Sequence, residues 1–567
     1  MEELLIRGAT VVDGTGVEPF EADVTVSGGV ITQVGSNLGK AKRTVEGKGL
    51  HLAPGIIDLH THYDAQVTWD RTLSPSPSLG VTTTVMGNCG FGIVPSPPDK
   101  RDLIMRNLSV VEGMDLDALR QGIRWEFESF GEYMNSLRQI GPYANVAVLA
   151  GHSVIRTAVM GEDASSQATP TEEQLSLMRS LVREAMAEGA IGLGASYSLN
   201  HSGYGGVPMP STITDLDELE ALVDAMGGKG IVQLASGAKT VEELAEIAGK
   251  YGHAIFKSTG VAMYNEQAPE RAISIFEACT KAQAEGKPIY VQIPAQPLAF
   301  DFSLANAYPF FSHDGFADVK AYAEEELKTA FADAGFRATF RDSLNNPKPG
   351  QIFQGNWNRV IVALPSEKNA SYTNRSIQDI ATESGRDPVD VMLDLGLDED
   401  LKTTFIGEFL NVGDDGVAEL LKHEAGVVAL SDAGAHLVFM CEAGYGLHFL
   451  AHWVRERGDF TLAEGVRRLT SHPADLYGIP NRGRIVPGAH ADLMLFDYAN
   501  VGVQPNRQVA DLPGGGRRTI RGAKGLHGVF VNGVQVHDGV DYMELERGPG
   551  EVLSEFKASS GLAAGLT

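Results

Sequence analysis

Between about residues 54 and 435, short apolar runs alternate with stretches of helical periodicity, and this alternation points to a parallel α/β architecture. "VTTTVMGN", "NVAVLAG", "GAIGLGASY", "GIVQLAS", "HAIFKS", "PIYVQIP", "TTFIGEF" and "GVVALSDAG" have the length of buried parallel strands. Between them, "TEEQLSLMRSLVREAMAEG" opens on a threonine that can cap a helix. Like "DLDELEALVDAMGG", it ends at glycine. Seven or eight such units predict a (β/α)8 TIM-like barrel, whose chemistry gathers at the C-terminal ends of the strands. A doubly wound sheet is the alternative, but no glycine-rich phosphate fingerprint supports it.

The two ends of the chain have a different texture. "ELLIRGATVVDG" and "ADVTVSGGVITQVG" alternate apolar and polar residues between glycine turns, and so do "GRIVPGAHADLMLFD" and "GLHGVFVNGVQVHDG". They predict a small composite β-sandwich built from residues 1–53 and 475–545, flanking a barrel over 54–474. Residues 546–567 form a tail whose end, "KASSGLAAGLT", reads as frayed. From about 298 to 370 the rhythm breaks into an aromatic and then helical segment. It reads as an insertion over the barrel mouth, a lid or pocket wall.

A net charge of −27 argues against nucleic acid and anionic membranes as partners. The N-terminus lacks the basic and apolar regions of a signal peptide, and no apolar run reaches the length of a membrane span. Three cysteines do not make a disulfide framework. A cytoplasmic protein is expected.

Candidate chemistry lies at strand ends. In "PGIIDLHTHYD", His60 and His62 are spaced so that a strand points both imidazoles to one side, where a divalent ion can sit. Asp432, in "GVVALSDAGAH", follows a late strand and can both bind that ion and take a proton from water, or else cap a helix. Cys89, in "VMGNCGFG", is a potential thiolate ligand or a small buried hydrophobe. His152 in "VLAGHSVIR" and His201 in "SYSLNHSGYGG" are each a ligand, a substrate hydrogen-bond donor or an ordinary loop histidine. His436 either orients Asp432 or touches substrate, and His472 reads as structural.

With these residues in place, the sequence resembles the amidohydrolase superfamily. "PGIIDLHTHYD" resembles its first-strand metal motif, and "SDAGAH" its last-strand aspartate motif. "TSHPADLYGIPNRGRIVPGAHADLMLFD" resembles its return from barrel to sheet. "GNCGFGIVP" and "GHSVIR" are similar to the D-aminoacylase, or N-acyl-D-amino-acid deacylase, branch. The resemblance implies zinc and hydrolysis of an amide C–N bond in a small-molecule substrate; a homo-oligomer is common among such barrels. It makes His60 and His62 zinc ligands, Cys89 a thiolate ligand able to bridge to a second ion, and Asp432 both ligand and general base.

The chain departs from that branch on the fifth and sixth strands, where two further histidines would hold the second ion. Gln233 stands at the first position and Phe256 or Lys257 near the second, while His253 starts its strand. One tightly bound zinc is therefore expected, with the second site lost or weak. Lys257 is left as a candidate for a substrate carboxylate. The aromatic "NAYPFF" suits an apolar acyl or aryl group, so hydrophobic amides are expected to be better substrates than acidic N-acetyl-D-amino acids. Aryl-amide, carbamate or cyclic-amide hydrolysis are the alternatives. A cyclic-amide hydrolase would resemble enzymes with a fourth-strand lysine, which "GAIGLGASYS" lacks. A metal-free scaffold is the alternative of another class.

Overall fold

The computed structural model describes residues 1–557 apart from 199–200, 238, 259–263, 267, 321, 349–350, 352 and 438–440. Two compact units divide them: Met1–Met263, Ala268–Gln296 and Asp415–Thr567 form one, Tyr264–Gln267 and Pro297–Asp414 the other.

In the first unit, eight strands form a parallel sheet in chain order. They are β1 (Ile56–Asp58), β2 (Val81–Met86), β3 (Asn145–Gly151), β4 (Gly192–Ser196), β5 (Ile231–Ala235), β6 (Ile255–Ser258), β7 (Ile289–Ile293) and β8 (Gly426–Val428). β2 and β3 are buried at every position, which explains their lack of polar alternation. Helices follow the strands as their caps direct: Thr171 forms a capping box with Gln174 before Glu172–Ala187, and Asp215 caps Leu216–Ala225. The inward side chains, among them Ile57, Val85, Leu149, Ile231, Phe256, Tyr290 and Val427, pack into one apolar core.

Past its C-terminal end, β1 meets the segment after β8. Thr61 bridges to Ala433, Asp432 N–H donates to His60 O at 3.1 Å, and His62 N–H donates to Ala433 O at 2.7 Å. This seam joins the first and last strands of the barrel and places the two histidines beside the aspartate. At the opposite end, the C-terminal segment crosses the strand starts. Val146 N–H donates to Glu551 O and Leu553 N–H to Val146 O, while Leu553 and Phe556 pack against the barrel core. The segment from 546 is thus held in place as far as Lys557; the rest of "KASSGLAAGLT" lies outside the described residues.

The two termini share one eight-stranded sheet, in which Leu493–Phe496 runs antiparallel to His51–Pro54. Leu4, Ile6, Val24, Leu52, Leu493 and Phe530 share its core. Among the described residues, no helix is long and apolar enough to cross a membrane.

The second unit corrects one strand assignment. "TTFIGEF" is not a barrel strand; Thr404–Leu410 is the centre of a three-stranded antiparallel sheet with Leu298–Phe302 and Val360–Leu364. Its side chains alternate between buried and partly exposed, the pattern of a sheet covered on one face. The insertion placed at about 298–370 lies inside this unit, which continues to Asp414. Its aromatic residues are its own core: Phe310 is fully buried and packs against Phe302, Phe316, Phe340 and Phe353. "NAYPFF" therefore offers less free apolar wall than its composition suggests.

Candidate metal centre and active site

The ligand atoms of His60, His62 and Cys89, all buried, lie within 4.8 Å of one another. His60 Nε2 is 3.6 Å from Cys89 Sγ and 3.4 Å from Asp432 Oδ1, and His62 Nε2 is 3.1 Å from the same oxygen. Nitrogen, thiol and carboxylate donors converging at this spacing make a set that zinc accepts. Every strand-end candidate but His152 and Lys257 is in or beside this cluster.

Local backbone explains how Cys89 reaches it. The loop after β2 sits directly on neighbouring backbone: a Cβ at Gly87 would lie 2.5 Å from Leu149 O, and one at Gly90 2.8 Å from Gly194 O. Only glycine allows that approach. Cys89, Asp432 and His436 all adopt positive φ, near +55°. Such backbone costs about 1–3 kcal/mol per residue and persists where surrounding contacts enforce it.

Each imidazole has a polar group behind it, an amide hydrogen-bonded to His60 and a carboxylate in ion-pair contact with His62. His60 Nδ1 lies 2.8 Å from Gln292 Oε1, and Gln292 Nε2 donates to Tyr477 OH at 2.9 Å. With the amide fixed this way, His60 donates through Nδ1 and turns the Nε2 lone pair to the cluster. His62 Nδ1 lies 3.1 Å from Glu112 Oε1, a buried carboxylate that the sequence did not single out. His436 Nε2 is 3.4 Å from Asp432 Oδ2, consistent with an orienting role.

Electrostatics separate these groups. Burial drives His60 down to about 4, leaving it neutral. Burial also opposes the charged form of His62, but Glu112 and Asp432 outweigh it and raise its pKa well above the ordinary value. Burial pushes the Asp432 carboxyl up, yet His436 and His62 more than compensate and hold it well below the usual range. The cluster thus favours a positive charge among its donors, which is what a bound cation would supply.

Gln233 does not face the cluster as a spare ligand. Its Oε1 accepts the Cys89 N–H at 2.8 Å and its Nε2 donates to Ser258 Oγ at 2.8 Å. Phe256 lies in the barrel core, and Ser258, two residues on and of the same parity, meets Gln233 instead. Strand parity sets Ser258, not Lys257, on the same side as Gln233. Lys257 has the opposite parity: its Nζ donates to Ser236 Oγ at 2.6 Å and to Lys239 O at 3.2 Å. The structure does not bring it to the histidines.

His201 stands beside the cluster, its Nδ1 2.6 Å from Ser196 Oγ and its ring edge-on to Phe91, which in turn stacks on His62. His152 is buried with Nε2 2.6 Å from Glu218 Oε1, in a network completed by Arg156. That partner sits on the helix Leu216–Ala225, so the imidazole of His152 rests against Glu218 and Arg156. His253 precedes β6 and contacts Gly230 O, and His472 lies on the helix Ser471–Tyr477.

Asp58, just before the histidines, yields a pH prediction. Burial pushes its carboxyl from 3.8 up to about 7, although Ser431 and the His60 N–H work against this. A folded-state pKa above the unfolded one favours folding fully at low pH, and that contribution disappears as pH rises through about 7. In metal-free protein, Asp58→Asn should match the parent near pH 4 and exceed it by about 4 kcal/mol near pH 8. Urea unfolding at the two pH values checks this; parallel losses in both proteins would exclude Asp58 as the cause.

Comparison with known proteins places the chain in a family. A family model described as the amidohydrolase family matches residues 43–537. The D-aminoacylase of Alcaligenes xylosoxydans xylosoxydans is 27% identical over 94% of this chain and 94% of its own length. The N-acyl-D-aspartate deacylase of the same organism is 26% identical over 97% and 95%. Among solved structures, an N-acyl-D-glutamate deacylase from Bordetella bronchiseptica, complexed with zinc and a phosphonate inhibitor, aligns with a TM-score of 0.65. It is 24% identical, covering 98% of this chain and all of that one.

Proposed function

The chain belongs to the amidohydrolase family, and on that premise we propose that it is a zinc-dependent deacylase that hydrolyses the amide bond of an N-acyl amino acid or a related apolar amide. The meeting of His60, His62 and Cys89 within 4.8 Å, with Asp432 against both imidazoles, supports this reading most directly. Those four residues would hold one ion. Bound there, zinc would lower the pKa of water and polarise a carbonyl oxygen.

Asp432, anionic at neutral pH, accepts a proton from the attacking water and returns it to the leaving nitrogen as the C–N bond breaks. His436 orients the carboxylate from its other oxygen. Gln292 fixes the ring of His60, and Gln233 anchors the loop that carries Cys89. Gln233 and Ser258 satisfy each other where the related branch would hold a second ion, so one zinc per chain is the expected content.

Lys257, turned to the back of its strand, supplies no charge for an acidic side chain. Neutral, apolar N-acyl amino acids or aryl amides should therefore be turned over faster than N-acetyl-D-glutamate or N-acetyl-D-aspartate. Metal quantification on protein purified without added zinc, combined with a panel of N-acyl-D-, N-acyl-L- and aryl amides, tests the whole reading. Two tightly held zincs, full turnover without metal, or preference for the acidic substrates would each overturn the corresponding part.

A further inference from the structure

Glu112 is an unusual place for a carboxylate. It is 2% exposed and caps the C-terminal end of the helix Arg101–Val111, where the helix dipole disfavours negative charge. Among the described residues, its carboxylate has one ion-pair contact, His62 Nδ1 at 3.1 Å. A buried charge held against a helix C-terminus needs a compensating partner, and the imidazole is where it finds one. The backbone continues the connection: Glu112 O accepts the His436 N–H at 2.5 Å. One residue thus touches both histidines that flank Asp432.

We infer that Glu112 is a positioning residue of the proposed metal centre, holding the His62 ring with Nε2 toward the ion and strengthening it as a ligand through its negative charge. The inference rests on the zinc reading above. An imidazole bound through Nε2 carries its proton on Nδ1; Glu112 Oε1 stands 3.1 Å from that nitrogen in an ion-pair contact rather than an aligned hydrogen bond, so its support of the ring comes chiefly through its negative charge. His60 has only a neutral amide in the same position, Gln292 Oε1 at 2.8 Å. The two imidazoles are therefore supported unequally, and His62 is the one tuned by charge.

The test measures zinc affinity by competition with a chromophoric chelator, together with melting of the metal-free protein. Glu112→Gln keeps the shape and an acceptor but removes the charge. It should weaken zinc binding about 10- to 100-fold, measured on a variant whose metal-free melt is still cooperative. Glu112→Asp retains the charge and should recover part of the affinity. Should Glu112→Gln fail to fold, Glu112→Met, uncharged and similar in size, takes its place: weakened affinity supports the role, and parental affinity removes it. Parental zinc affinity in folded Glu112→Gln also overturns the inference and leaves the metal centre standing. A parent that binds no zinc overturns the functional reading itself.

Discussion

Asp432→Asn should lower kcat by about 10³-fold while leaving most of the zinc in place. The substitution keeps the size of the side chain and one oxygen for the ion. It removes the negative charge that His436 and His62 stabilise, and with it the site that takes up the proton. General-base contributions of about 10²–10⁴-fold set the scale. Steady-state kinetics at saturating zinc, alongside metal quantification, decides the matter. A variant within tenfold of the parent excludes Asp432 as the base. A variant that loses its zinc makes the carboxylate chiefly a ligand.

Removing residues 546–567 is expected to destabilise the first unit by about 5 kcal/mol or more, comparable to the net stability of an ordinary domain. The truncation strips away Leu553 and Phe556, which are partly buried against the barrel core. It also takes the backbone partners of Val146, Gly141 and Gly478. Arg482, buried between Asp492 and Glu551, loses the second of those carboxylates. The truncated chain should give no cooperative thermal transition in circular dichroism, or one shifted down by many degrees. A melt coincident with the parent's would mean that the segment merely rests on the barrel.

Several elements of this protein were legible because their signals are local. Periodicity located the barrel strands, and Thr171 and the glycines marked helix ends, since each depends on a few neighbouring residues. His60 and His62 needed only the two-residue repeat of an extended backbone to be read as a pair. The failures were also physical. "TTFIGEF" resembles a barrel strand in composition, but its alternating burial depends on which face another sheet layer covers. Lys257 differs from Phe256 and Ser258 by one residue of parity, enough in a strand to exchange the barrel interior for the helix side.

What the sequence by itself determined is the parallel α/β frame, the shared sheet of the two termini, and the chemical types at the strand ends: two imidazoles, a thiol and a carboxylate. What only the tertiary structure decided is who stands behind them. Glu112 is fifty residues from His62 in the chain, and Gln292 is 232 from His60. Ser258, not Phe256 or Lys257, completes the partnership with Gln233. Hydrogen bonds and charges act over a few ångströms, and in a closed barrel those distances are set by which strand lies beside which, not by position along the chain.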